Sequence, residues 1–188
     1  MLAAHEIIVA GFGGQGVLSL GQIIAYAAMK EGKEVSWMPA YGPEMRGGTA
    51  NCIVIVSEAR ISSPIVTQFD SAIVLNQPSL DKFADHVKIG GFLLTERSGI
   101  VVPSVRSDIE ILNIAAFEEA QKMDKKQVAN MILLGAFLER RPIVRTENVV
   151  QALKEVLPER HHHLLPLNEQ ALLAGKKLAS EMVDATMI

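Results

Sequence analysis

Hydrophobic positions along the chain change period several times, and each change marks an element. Ile7-Ile8-Val9-Ala10 is a short β-branched run that reads as a buried strand. From Val17 the apolar residues fall at helical spacing through Leu20, Ile23, Ile24, Ala27 and Ala28, and Gly32 stops that helix. A strand is expected at 33–38, a polar glycine-rich loop from Tyr41 to Gly48, and a second strand from Thr49 to Val56 ending in a turn at Ser57-Glu58. Residues 71–76 and 91–95 are continuous apolar runs of the kind found in strands buried on both faces, with a short helix over 80–86 between them.

The remaining chain reads as helical. Helices are expected over 113–122 and 128–139, the second apolar on every side through Met131 to Leu138. Such a helix belongs inside a core or against another subunit. Thr146 is placed to cap a helix with Val149, Val150, Leu153, Val156 and Leu157 on its inner face, and Pro158 follows its end. A last helix is expected over 169–183, with Leu172, Gly175, Leu178, Ala179 and Met182 on one side. No internal repeat or low-complexity linker interrupts the pattern.

Two polar segments break the framework in ways that suggest function. Gly11-x-Gly13-x-x-Gly16, with Gly14 and Gln15 between, lies where the first strand passes into the first helix. The first glycine permits a tight turn, the second a close approach of backbone to an anion, and the third close packing of helix on strand. Unpaired N–H groups at the helix start favour negative charge. This order of elements implies an α/β fold: a Rossmann-like sheet, mostly parallel, flanked by helices, with a helical C-terminal half. A nicotinamide site would also need a carboxylate at the end of the second strand. That strand runs into Ala40-Tyr41-Gly42-Pro43, and the nearby acid, Glu34, is at its beginning. Three readings therefore stand: a dinucleotide turn, a purely structural turn, and a turn serving another anion or a partner's active site. In the second segment, Tyr41 to Thr49, three glycines and a proline fix an irregular backbone while Tyr41, Glu44 and Arg46 project groups suited to a carboxylate, a phosphate or a partner chain. Its plain alternative is a surface loop with one Arg–Glu pair.

Composition narrows the chemistry. The chain of 188 residues carries 18 Lys and Arg against 21 Asp and Glu, a net charge of −3 without a basic stripe, which argues against nucleic-acid binding. Neither a signal peptide nor a membrane span is evident, so a cytoplasmic protein of one domain, residues 1–188, is expected. One cysteine, Cys52, forms no internal disulfide and alone holds neither zinc nor a cluster; its apolar neighbours make it a small core residue. His161-His162-His163 reads as a solvated link between helices rather than a metal site. His5 and His86 have no triad partners, and Ser19 and Ser36 sit on no nucleophile elbow. Neither catalytic nor metal-binding residues are expected.

Gly-Phe-Gly-Gly-Gln-Gly-Val at 11–17, Tyr-Gly-Pro-Glu-Met-Arg-Gly-Gly-Thr at 41–49 and Val-Ala-Asn-Met at 128–131 resemble the gamma subunit of 2-oxoacid:ferredoxin oxidoreductases. Ser63-Pro64 and Asn168 continue the similarity over nearly the whole chain. The resemblance implies a non-catalytic, supporting subunit of a thiamine-diphosphate enzyme that oxidatively decarboxylates a 2-oxoacid to an acyl-coenzyme A and passes electrons through iron–sulfur clusters to ferredoxin. Thiamine diphosphate, its Mg ion and the clusters are then held by other subunits, alpha, beta and in some forms a ferredoxin-like delta, and this chain alone holds no cofactor. Gly11, Gly13, Gly14, Gln15, Gly16, Tyr41, Glu44, Arg46, Gly47, Gly48 and Thr49 are the residues that would shape the coenzyme A or thiamine-diphosphate region. The stretch ending at Cys52 is closer to 2-oxoglutarate and related forms than to pyruvate forms. The alternative is a self-sufficient nucleotide-binding module of the NAD or FAD type; the missing acid and the apolar helix at 128–138 favour the subunit.

Overall fold

The computed structural model describes residues 4–41 and 48–184. Glu44, Arg46 and Gly47 therefore lie outside the described residues, as does the Tyr41 side chain. Six strands, β1 (His5–Phe12), β2 (Glu34–Tyr41), β3 (Thr49–Ser57), β4 (Phe69–Val74), β5 (Val87–Glu96) and β6 (Glu110–Ile114), form one sheet in the order β2-β3-β1-β4-β5-β6. β4 and β5 follow β1 in parallel register and β6 follows β5, whereas β3 is antiparallel to both β1 and β2. Five strands thus run one way and β3 runs against them. The crossover helix α1 (Val17–Lys30) carries the chain from β1 to β2 and leaves one strand position open between them. β3 returns directly from β2 and fills it, since an antiparallel neighbour needs only a short connection.

Among the described residues five further α-helices follow: α2 (Gln77–Phe83), α3 (Ala116–Lys122), α4 (Ala129–Arg140), α5 (Thr146–Val156) and α6 (Leu165–Asp184). The main core packs α1, α4, α5 and α6 against one face of the sheet through Ile7, Val9, Ile73, Phe92 and Leu94. The other face, with Ile8, Ala72, Val74 and Leu93, is covered by short α2 and neighbouring loops. Helix α4 answers the question its uniform apolarity raised. Met131, Ile132, Leu133, Leu134 and Phe137 are all buried within the chain itself. Its closest neighbour is α6, and two glycines set the separation: a Cβ on Gly135 would lie 1.9 Å from Leu172 O, and one on Gly175 1.8 Å from Ile132 O.

Several boundaries differ from expectation for local physical reasons. Residues 110–112 form an unanticipated edge strand that extends to Ile114, so the helix expected from Asn113 begins at Ala116. Strand β5 starts four residues early, at Val87, and contains a bulge between the Phe69–Val87 and Ser71–Phe92 pairs, with Gly90 at φ +75°. The helix expected over 80–86 is α2 followed by a 3₁₀ turn, and its start is fixed by Asn76, whose side chain accepts from Ser79 N. Thr146 is not a cap. The residue before α5 is Arg145, whose N–H donates to Glu31 Oε1 at 2.5 Å, a carboxylate brought from the end of α1. His161 to His163 lie in a 3₁₀ turn, where His162 Nε2 bonds Leu157 O at 2.9 Å, and α6 starts directly after it at Leu165.

Candidate functional site

The glycine turn sits at the C-terminal end of β1, where ligands bind in open α/β sheets. Gln15 holds it closed: its Oε1 accepts from Phe12 N at 2.6 Å and its own N–H donates to Phe12 O at 3.2 Å. Gly14 at φ +97° and Gly16 at φ +80° supply left-handed backbone that other residues adopt at a cost. Helix α1 then begins without a side-chain cap, its first internal bond running from Leu20 N to Gly16 O at 2.9 Å. The N–H groups of Val17, Leu18 and Ser19 form the positive end of a 14-residue helix.

The antiparallel insertion of β3 joins the two polar segments. Its register sets Gly11 opposite Ala50 and Phe12 opposite Thr49. Gly48 O accepts from Gly13 N at 2.9 Å. The last residues of the 41–49 segment are therefore fastened onto the glycine turn, and the Gly13 N–H that a phosphate would take in a dinucleotide fold already has a protein partner. A cleft of about 550 Å³ opens beside this joint, from Phe12 and Gly13 to Ser19 and Ala50, with no acidic residue in its lining among the described residues. Among the described residues no acid stands at the end of β2 either; Glu34 pairs with Ser57 at the far end. These features weigh against a self-sufficient dinucleotide module.

The third motif reaches the same place from another helix. Asn130, in the first turn of α4, packs on Gly16 so closely that a Cβ there would meet its Nδ2 at 2.8 Å. Asn168 of α6 lies with Asn130 around a second cavity behind the turn. Ser63 and Pro64 line neither cavity; Ser63 Oγ accepts from Ile65 N in an exposed loop. Of the expected site residues, then, Gly11 to Gly16 and Gly48-Thr49 come together, and Tyr41 ends the neighbouring strand.

Other polar groups are held by structural partners. Cys52 is buried beneath α1, and burial pushes its thiol up to about 12. At the opposite end of β1, His5 Nε2 bonds Ser71 Oγ at 2.9 Å, and burial, aided by the charges of Arg141 and Lys88 and opposed by that of Asp70, holds its imidazole below the usual range. A cavity of about 740 Å³ is also far from the turn and is walled by ion pairs such as Lys33–Glu31 at 3.0 Å. Burial would raise the Glu31 carboxyl, but the hydrogen bonds from Arg145 N, Asn148 and Lys33 outweigh it and leave the group below its usual range. Among the described residues no group of three His, Cys, Asp or Glu is arranged to hold a metal, and no helix is long and apolar enough to cross a membrane.

Comparison with known proteins adds a common theme. The family described as pyruvate ferredoxin/flavodoxin oxidoreductase matches residues 6–178. Ketoisovalerate oxidoreductase subunit VorA of Methanothermobacter thermautotrophicus is 37% identical over 183 residues, covering 97% of this chain and 38% of VorA. The gamma subunit of a keto/oxoacid ferredoxin oxidoreductase from Geobacter sulfurreducens PCA superposes with a TM-score of 0.80 at 29% identity, over 94% of this chain and 99% of that subunit. A chain of 2-oxoglutarate:ferredoxin oxidoreductase from Magnetococcus marinus, solved with 2-oxoglutarate, coenzyme A and succinyl-CoA bound, gives a TM-score of 0.87 at 26% identity, over 96% of this chain and 32% of that one. The chain thus spans under two fifths of VorA and about the full length of the Geobacter subunit.

Proposed function

The chain belongs to the pyruvate ferredoxin/flavodoxin oxidoreductase family, and on that premise we propose that it is the gamma subunit, one domain over residues 1–188, of a cytoplasmic 2-oxoacid:ferredoxin oxidoreductase. Its partners are the alpha and beta subunits and, in forms that carry one, a ferredoxin-like delta, with ferredoxin served through the assembly. The overall reaction converts a 2-oxoacid and coenzyme A into acyl-coenzyme A and carbon dioxide, with two electrons passing to ferredoxin. The acid is 2-oxoglutarate or a relative such as ketoisovalerate, chosen by a pocket that partner chains build.

The observation that carries this reading is the Gly13–Gly48 joint, which fastens the two segments shared with gamma subunits into one rim. The cleft beside that rim offers uncapped N–H groups at the start of α1 and, among the described residues, no carboxylate. Its chemistry fits an anionic group such as a phosphate of coenzyme A. Coenzyme A supplies the thiol that accepts the acyl group, and thiamine diphosphate on a partner supplies the decarboxylation chemistry. This chain's residues bind and orient: the helix start attracts the anion, the glycines let it approach, and Tyr41, Glu44, Arg46, Gly47 and Thr49 are the further residues that we propose act on the bound group.

Arg46 offers a direct test, because a guanidinium presents paired donors that lysine lacks. In the assembled enzyme, Arg46→Ala should raise KM for coenzyme A alone by an amount worth about 1.5–3 kcal/mol, with Lys restoring part. Unchanged kinetics for both coenzyme A and the 2-oxoacid in an intact complex would remove the rim's binding role.

A further inference from the structure

The loop from β5 to β6 exposes apolar side chains on a backbone that polar groups hold in place. It runs through Gly99-Ile100-Val101-Val102-Pro103-Ser104-Val105, seven residues without a charge. Val101, Val102 and Val105 are 83%, 64% and 95% exposed. An uncharged apolar cluster of this kind gains nothing in water and has the composition of an interface centre.

The backbone beneath the valines is fixed from both ends. At its start the buried carboxylate of Glu96 accepts from Ser98 Oγ at 2.6 Å and from Gly99 N at 3.0 Å. Gln77 Oε1 then accepts from the N–H groups of Val101 and Val102, each at 2.9 Å. At its end Arg106 Nη1 donates to Ala84 O and Val87 O, both at 2.7 Å, and Arg106 Nε donates to Asp108 at 2.9 Å. A loop ordered in advance loses little freedom on binding, so these bonds prepare the valines for contact.

Leu75 places the segment beside the glycine turn. A Cβ on Gly11 would lie 3.0 Å from Leu75 Cβ, and a Cβ on Gly99 would collide with the Leu75 carbonyl. The loop therefore begins one side chain away from the carboxyl end of β1. Size then selects the occupant. Three exposed valines offer on the order of a few hundred Å², whereas a stable dimer buries about 800 Å² on each partner. A second copy meeting valine on valine falls short of that area; a chain that covers the valines and the adjoining rim reaches it.

We propose that Val101, Val102 and Val105 form the docking platform for the partner subunit that faces the Gly13–Gly48 rim, and that this subunit meets them with an uncharged apolar surface. The proposal rests on the subunit reading and adds to it the surface through which the chain is held.

The test is binding of the full chain to purified partner subunits, followed by size-exclusion chromatography and titration calorimetry. Val101→Glu with Val105→Glu should raise the dissociation constant about a hundredfold, tenfold for each valine withdrawn from the contact. The Tm should not change, because both side chains stand in water in the free chain. Val105→Glu alone, at a side chain that folding does not use, should cost about tenfold. Ile65→Glu with Ile89→Glu adds the same charge at similarly exposed positions before β4 and near the start of β5, and should leave assembly intact. Undiminished binding by the valine variants, equal loss with the isoleucine pair, or a dimer of the isolated chain that the valine substitutions dissolve would each overturn the platform while the subunit reading stands. A wild-type chain that binds no partner subunit would overturn both.

Discussion

Alanine at Gly16 meets resistance from both its own backbone and its neighbour. The native φ of +80° costs an L-residue ~1–2 kcal/mol. The new Cβ would also lie 2.8 Å from Asn130 Nδ2, 3.1 Å from its Cγ and 3.2 Å from its Cβ. Overpacking of this kind costs ~1–3 kcal/mol, and because an asparagine can rotate away from part of it, the low end applies, about 1 kcal/mol. Gly14 is the internal control: it has φ +97° and nothing within 4 Å of an added Cβ, so only the backbone cost remains. Urea unfolding should therefore place Gly16→Ala about 1 kcal/mol below Gly14→Ala in stability, with unchanged m-values. Adding Asn130→Ala to each should narrow the gap, since it removes the 2.8 and 3.1 Å contacts and leaves only the Cβ at 3.2 Å. Equal destabilisation of the two glycine variants, or a gap undiminished by Asn130→Ala, would refute the contact between the first and third motifs.

Other consequences concern groups away from the rim. With its thiol pushed up to about 12, Cys52 should resist iodoacetamide at pH 8 in the native chain and be alkylated fully once urea unfolds it, as mass spectrometry will show. His5 is held neutral by burial while the unfolded chain takes up a proton near the usual 6.5, so its contribution to stability is complete above that pH and declines as pH falls through the lower native value. Urea titrations at pH 7.5 and 5.5 should show this loss, at most about 1.4 kcal/mol per pH unit, and His5→Gln should flatten it. Gly135→Ala drives a Cβ into the Leu172 carbonyl across the α4–α6 contact and should cost about 3 kcal/mol or more, read as a lowered Tm.

The sequence makes β1, the glycine turn and α1 legible because a β-branched run, fixed glycine spacing and a helical apolar period follow one another without interruption. It makes β6 hard to see: five residues with one polar interruption at Asn113 run straight into a helical pattern. Sheet order is not local information. Nothing in residues 49–57 announces that β3 will lie between β1 and β2, yet that insertion ties Gly48 to Gly13 and joins the two polar segments. Thr146 illustrates the same limit, since the donor at the start of α5 is satisfied by Glu31, 114 residues earlier. Asn130 and Asn168 stood out through resemblance alone, and the cavity they share depends on three helices meeting at one end of the sheet.

The subunit assignment is tested most directly by reconstitution. Purified partner subunits are assayed for viologen reduction that depends on both a 2-oxoacid and coenzyme A, with and without this chain. The account predicts no turnover by the chain alone and coenzyme A-dependent turnover when all subunits are combined, lost again when this chain is omitted. Full activity of the partner subunits without it, or 2-oxoacid oxidation by the chain in isolation, would contradict the account.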